Sequence, residues 1–166
     1  MRRERGPFRY RRLQLTDGLS NDAYRPSGKA SGPIQCPRCK AVFRRGRWTW
    51  GAAPAGAAWR RCPACQRIDE RYPAGFVSLS GAFFKQHRAE VLARVKQCES
   101  REKAEHPLER VMAIEEDGAK GTLVTTTSVH LARIIGHALH NAFKGDLRQT
   151  YNGRDNLLRV RWRRDA

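Results

Sequence analysis

Cys36-Pro37-Arg38-Cys39 and Cys62-Pro63-Ala64-Cys65 carry the clearest chemistry in this chain. A Cys-x-x-Cys segment makes a tight turn that aims two thiolates at one point. Two such knuckles supply four sulfurs, a closed tetrahedral shell. Twenty-two residues lie between them, slightly more than the usual zinc-ribbon spacer and enough for a hairpin and a loop. Zn2+ prefers such a shell and has no redox activity, so one structural zinc ion is the expected occupant. Arg38, Lys40, Arg60, Arg61 and Arg67 lie close in sequence and are expected to offset the negative charge of four thiolates.

Iron is the alternative ion, because CPxC knuckles also occur in rubredoxins. Those carry glycine just after the second cysteine, where this chain has Lys40 and Gln66. The remaining cysteine, Cys98, falls on an apolar helical stripe with Phe84, Val91 and Val95 and reads as a small buried hydrophobe.

The second chemical feature is charge. The formal net charge is +17, and Arg outnumbers Lys 26 to 7. Such a chain repels itself unless a polyanion neutralises it, and arginine forks suit phosphate. Nucleic acid is the expected partner. The candidate contacts fall in four groups. Arg9, Arg11 and Arg12 belong to a basic N-terminal arm. Arg44, Arg45 and Arg47 interleave with Trp48 and Trp50, whose rings stack on unpaired bases or cover the metal site as a mini-core. Arg133, His137 and Lys144 share one side of a helix with His140. Arg159, Arg161 and Arg163 alternate with Leu158, Val160 and Trp162, so the three cations face one way along a strand. Arg148 of the neighbouring strand joins them.

No catalytic constellation emerges. Phosphate-binding Gly-rich loops are missing, and the Ser and His residues have no diagnostic spacing. Glu115-Glu116-Asp117 reads as solvated turn charge. Small-molecule substrates and membranes are not expected. Arg2, Arg3 and Arg5 are followed by no apolar region, and no apolar run reaches membrane length. Two CxxC pairs without a leader argue for a reducing, cytoplasmic setting.

Elements must hold these groups in place. Residues 1–30 read as a basic disordered arm and 31–77 as a zinc ribbon of hairpins and loops. Residues 78–105 read as a connecting helix, capped by Ser80 and stopped by Pro107. Residues 106–166 read as a β-β-α-β-β module. Its strands are Val111–Glu116, Leu123–Thr127, Leu147–Tyr151 and Leu158–Trp162. Its helix runs from about Ser128 to Lys144, with Gly145 at the end. The expected class is α+β: a four-cysteine ribbon joined by a helix to a small sheet with one helix on it.

Several stretches carry a resemblance. They are Cys36 to Phe43, Arg47-Trp48, Cys62 to Arg67, Arg71-Tyr72-Pro73-Ala74-Gly75, Thr125-Thr126-Thr127 through His130-Leu131-Ala132-Arg133, and Leu158 to Trp162. Through them, from about residue 33 onward, the chain resembles a family of small basic bacterial zinc-knuckle proteins. That family is distantly similar to the zinc-bearing part of the large-ribosomal-subunit export adaptor of archaea and eukaryotes. The resemblance implies association with the ribosome or rRNA and carries over no catalytic residue. The expected function is therefore noncatalytic RNA binding. A DNA-binding regulator, a metal-dependent RNA-processing enzyme and a zinc-ribbon protein adaptor are the alternatives.

Overall fold

The computed structural model describes Tyr24 and residues 32–166. The expected arm at 1–30, with Arg9, Arg11 and Arg12, lies outside the described residues apart from Tyr24. The first unit holds four very short strands: β1 (Ile34–Gln35), β2 (Val42–Arg44), β3 (Arg47–Thr49) and β4 (Ala58–Trp59). They pair in the order β3-β2-β1-β4, with β1 antiparallel to β2 and parallel to β4. Arg45 and Gly46, at φ 51° and 79°, make the tight β2–β3 turn. Helix α1 (Pro63–Glu70) follows. The unit buries little besides Ile34, Ala41, Val42, Trp48, Ala64 and three of its four cysteines. So small a core cannot hold a fold without a staple.

The second unit is larger. It holds β5 (Gly75–Ser80), α2 (Ala82–Gln86), α3 (Arg88–Glu105), β6 (Val111–Glu116) and a 3₁₀ turn at Gly118–Lys120. β7 (Thr122–Thr126), α4 (Val129–Phe143), β8 (Asp146–Asn152) and β9 (Leu157–Arg163) complete it. The sheet order is β6-β7-β5-β9-β8, antiparallel throughout except for the parallel pair β5–β9. Val77 and Leu79 of β5, Val160 and Trp162 of β9, and Ile135 and Leu139 of α4 meet in one core, fully buried. Val91 and Val95 of α3 join it. The chain is thus α+β, as expected from the sequence.

Two expected boundaries change. Residues 78–80 are not helical, because β5 is the central strand of the sheet, so residues 75–77 leave the ribbon. The β-β-α-β-β module gains a fifth strand from upstream. Ser80 lies in β5, and the helical stretch begins after Gly81 with no side-chain cap. Residues 88–105 do form a helix, but α3 packs on α4 and the core rather than standing free as a connector. By contrast, α4 is capped as the sequence implies. Ser128 Oγ accepts from the Leu131 N–H at 2.9 Å, and Gly145 follows the last turn at φ 90°. No helix of the described residues is long and apolar enough to cross a membrane.

The N-terminus of α4 sits directly on β5, and Gly75 permits it. A Cβ at Gly75 would lie 2.2 Å from Thr126 Oγ1, 2.5 Å from Ala132 Cβ and 2.9 Å from the Ser128 carbonyl oxygen. Gly75→Ala should therefore destabilise the fold by about 1–3 kcal/mol through overpacking. A thermal melt checks this: an unchanged Tm would show that strand and helix have room to separate.

Candidate metal centre

The first knuckle is a backbone-closed turn. The Lys40 N–H donates to Cys36 O at 2.9 Å, and the Cys36 N–H to Ala41 O at 2.8 Å. Lys40 adopts φ 67° to close it. This is the place where glycine was missing from the sequence pattern, and a lysine takes the left-handed conformation there. The second knuckle is built differently. Cys62 is the N-cap of α1, and its Sγ accepts from the Cys65 N–H at 3.4 Å, with Pro63 in the first turn. A helix start favours negative charge, so a thiolate at Cys62 is well placed. The sequence reading expected only hairpins and loops here and missed α1.

Together the knuckles bring Cys36, Cys39, Cys62 and Cys65 into one cluster. Their sulfurs all lie within 4.8 Å of one another. Cys39 and Cys62 are 3.7 Å apart, too far for a disulfide, and all five cysteines are free thiols. A tetrahedral ion with metal–sulfur bonds of about 2.3 Å needs sulfurs about 3.8 Å apart. The four cysteines are thus positioned to bind one metal ion. Three of them are buried and Cys39 is half-buried, so the shell is closed.

A guanidinium completes the centre. Arg110, at the start of β6, is buried. It donates from Nη1 to Cys65 Sγ at 3.3 Å and from Nη2 to Cys62 Sγ at 3.9 Å. Its Nε donates to Pro107 O at 2.8 Å, and its backbone N–H to Thr127 Oγ1 at 2.9 Å. Burial works against the Arg110 charge, but the neighbouring sulfurs of Cys39 and Cys65 more than restore it and hold the group firmly cationic. Burial also resists ionisation of Cys36. Backbone N–H groups of Cys39, Cys62 and Arg38 outweigh it and bring that thiol down to about 6. Burial pushes Cys62 and Cys65 up, and at Cys65 the Arg110 guanidinium opposes it. Buried thiols crowded together cannot all ionise unless a cation joins them. A metal ion supplies that cation, and the donor set fits it.

Three of the cations expected to balance this charge have other work. Arg38 and Arg61 both pair with Asp69, Arg61 at 2.6 Å. Arg67 is buried, donates to Tyr72 O at 3.0 Å and lies over the Tyr24 ring at 4.5 Å. Arg110 was not singled out from sequence, since it is far from both knuckles along the chain. A lone arginine just before a strand carries no local signal of this role.

The candidate nucleic-acid residues do not form one site. Arg44, Arg45 and Arg47 are exposed at the β2–β3 turn. Trp48 is buried against Phe43, ring centroids 5.4 Å apart, so it takes the mini-core alternative and is not free to stack on a base. Trp50 spends its indole N–H on Lys103 O at 2.6 Å, tying the ribbon to the end of α3. Arg159, Arg161 and Arg163 do share the sheet face opposite α3 and α4, and Arg148 lies beside Arg161. Arg133, His137 and Lys144 are exposed on α4, on the other side of the sheet. No single ligand surface gathers both sets. His137 approaches Gln149, and His140 Nδ1 lies 3.0 Å from Gly145 O. Glu116 pairs with Arg88.

Fold and site together define an α+β protein whose first unit carries a closed cluster of four cysteines positioned to bind one metal ion. No protein-family model, curated protein or solved structure matches the chain.

Proposed function

We propose that the ion is Zn2+, held structurally, and that the protein binds RNA without catalysis, with rRNA in a ribosomal subunit as the target. Zinc follows from the donor set: four sulfurs in a closed shell leave no open position for a substrate. The ribosomal target rests on the motif resemblance alone.

One observation carries the RNA reading. Arg148, Arg159, Arg161 and Arg163 stand exposed on the face of the sheet opposite α3 and α4. Across β9 and β5 the rows pair Phe76 with Arg159, Ser78 with Arg161 and Ser80 with Arg163. The Arg159 guanidinium lies 4.9 Å over the Phe76 ring, which fixes its plane. Arg148 and Arg163 are bridled by Asp146 and Asp165 at 3.1 and 2.8 Å. Such exposed pairs are weak, and a phosphate can displace the carboxylates. Cations repeated along one strand repel each other, and a polyanion relieves that repulsion.

The test is an equilibrium titration of structured RNA with the triple variant Arg159→Glu, Arg161→Glu, Arg163→Glu. Affinity should fall at least about tenfold, and the slope of log K against log salt should shrink by about one for each phosphate deprived of its arginine. Unchanged affinity and slope would remove the sheet face from the binding surface. Duplex DNA that outcompetes structured RNA would instead favour a DNA-binding role.

A further inference from the structure

We infer that Trp59, with the Lys40 ammonium over one face of its ring, is a stacking platform for an unpaired nucleotide base on its other face. The inference rests on the RNA-binding reading and names what part of an RNA the metal unit takes.

Trp59 is 63% exposed, the most exposed of the large apolar side chains described. The other tryptophans are committed: Trp48 and Trp162 are buried, and Trp50 holds Lys103. The Trp59 backbone is fixed on both sides. The Ala58 N–H donates to Pro33 O at 3.0 Å, and the Arg60 N–H to Gln35 O at 3.1 Å. Three residues later the chain enters the metal cluster at Cys62.

The backbone that carries the cation is fixed in the same way from the other knuckle. Lys40 follows Cys39 directly, in the turn closed onto Cys36, and its Nζ lies 5.1 Å from the Trp59 ring centroid. The metal cluster thus holds the ring from one knuckle and the ammonium from the other. A platform set before binding loses little entropy when a ligand arrives.

The surroundings select the ligand. Lys40 lies at the ring, Arg60 and Arg61 follow Trp59 directly in the chain, and all three are exposed; Arg61 shares Asp69 with Arg38. An apolar ring set among cations suits a group that is both aromatic and anionic, which a nucleotide is. The ring takes the base and the cations take the phosphates beside it. In a duplex both faces of every internal base are already covered, so the occupant is an unpaired base.

The test uses the full-length zinc-loaded chain with two probes, a twelve-nucleotide oligouridylate and a blunt RNA duplex of equal length. Metal content confirms that each variant is folded at the cluster. Trp59→Ala should weaken oligouridylate binding about five- to a hundredfold and leave duplex binding unchanged. Trp59→Phe should retain most of the affinity while losing the quenching of tryptophan fluorescence that oligouridylate causes in the parent chain. A parent chain that binds both probes while Trp59→Ala matches it on both overturns this inference alone. A parent chain that binds neither probe at low salt overturns the RNA reading, and this inference with it.

Discussion

Replacing Cys62 with serine should abolish metal binding and unfold the first unit while leaving the second folded. The ribbon strands are two or three residues long, and its core is a handful of side chains around the thiols. Structural zinc in small units of this kind contributes roughly 10–16 kcal/mol of apparent binding free energy at neutral pH. Nothing else in residues 32–70 approaches that figure. Cys62 matters twice, as a ligand and as the N-cap of α1. Elemental analysis should find one zinc per parent chain and none in Cys62→Ser. Amide hydrogen exchange should then show β1–β4 and α1 unprotected, with β5, β7 and β9 still slow to exchange. Full protection of the ribbon without metal would contradict a structural centre. Acid should act in the same direction. The thiolates must be deprotonated to bind, so the stability lent by the ion is present at neutral pH and is lost as falling pH protonates them.

Arg110→Ala should be the most damaging substitution outside the cysteines. It leaves the four-thiolate centre without its buried counter-charge, and it strips the Pro107 carbonyl of its donor. Removing one partner of a buried charge pair costs about 3–5 kcal/mol. Removing a group that holds a metal ligand weakens metal binding about 10–100-fold. Competition with a chromogenic chelator reads the second effect, and a thermal melt reads the first. Arg110→Lys keeps the charge but cannot reach Pro107 O and both sulfurs together, so it should fall between the two. A chelator curve for Arg110→Ala that superimposes on the parent would mean that the ribbon balances its own charge.

The parts legible in the sequence are those decided by neighbours along the chain. Two CPxC knuckles declare a metal site through their spacing alone. Period-two alternation at Leu158–Trp162 and period-3.6 recurrence at Leu131, Ile135 and Leu139 place β9 and α4 to within a residue or so. Ser128 and Gly145 mark the helix ends. The parts that were not legible depend on partners far away. β5 reads Gly-Phe-Val-Ser-Leu-Ser, a short segment whose alternation is blurred by apolar residues on both faces. It becomes a strand because β7 and β9 flank it. Arg110 becomes part of the metal centre only because β6 starts beside it. The tryptophans show the same limit. Trp48 is opposite Phe43 in the β2–β3 register and is buried with it, whereas Trp50 lies past the end of β3. Trp59, on the strand leading to the second knuckle, is left in water, and only the folded register separates the three.

Because β5 pairs in parallel with β9, the molecule also has a built-in order of assembly during synthesis. The knuckles and their hairpin are near neighbours in sequence and can close on an ion as soon as they are made. β5 comes next, with a row of unpaired N–H and C=O groups along each edge. Its first partner, β7, follows two helices and another strand, and its second is almost the last segment described. Contacts so distant form slowly, because the long intervening loop must be closed first. Until then a nascent chain carries a metal site that still lacks Arg110, its buried counter-charge, followed by an open-edged strand, the kind of segment that pairs with the wrong neighbour. Truncation before Leu157 would arrest it in that state, because the last strand described fills an interior place in the sheet.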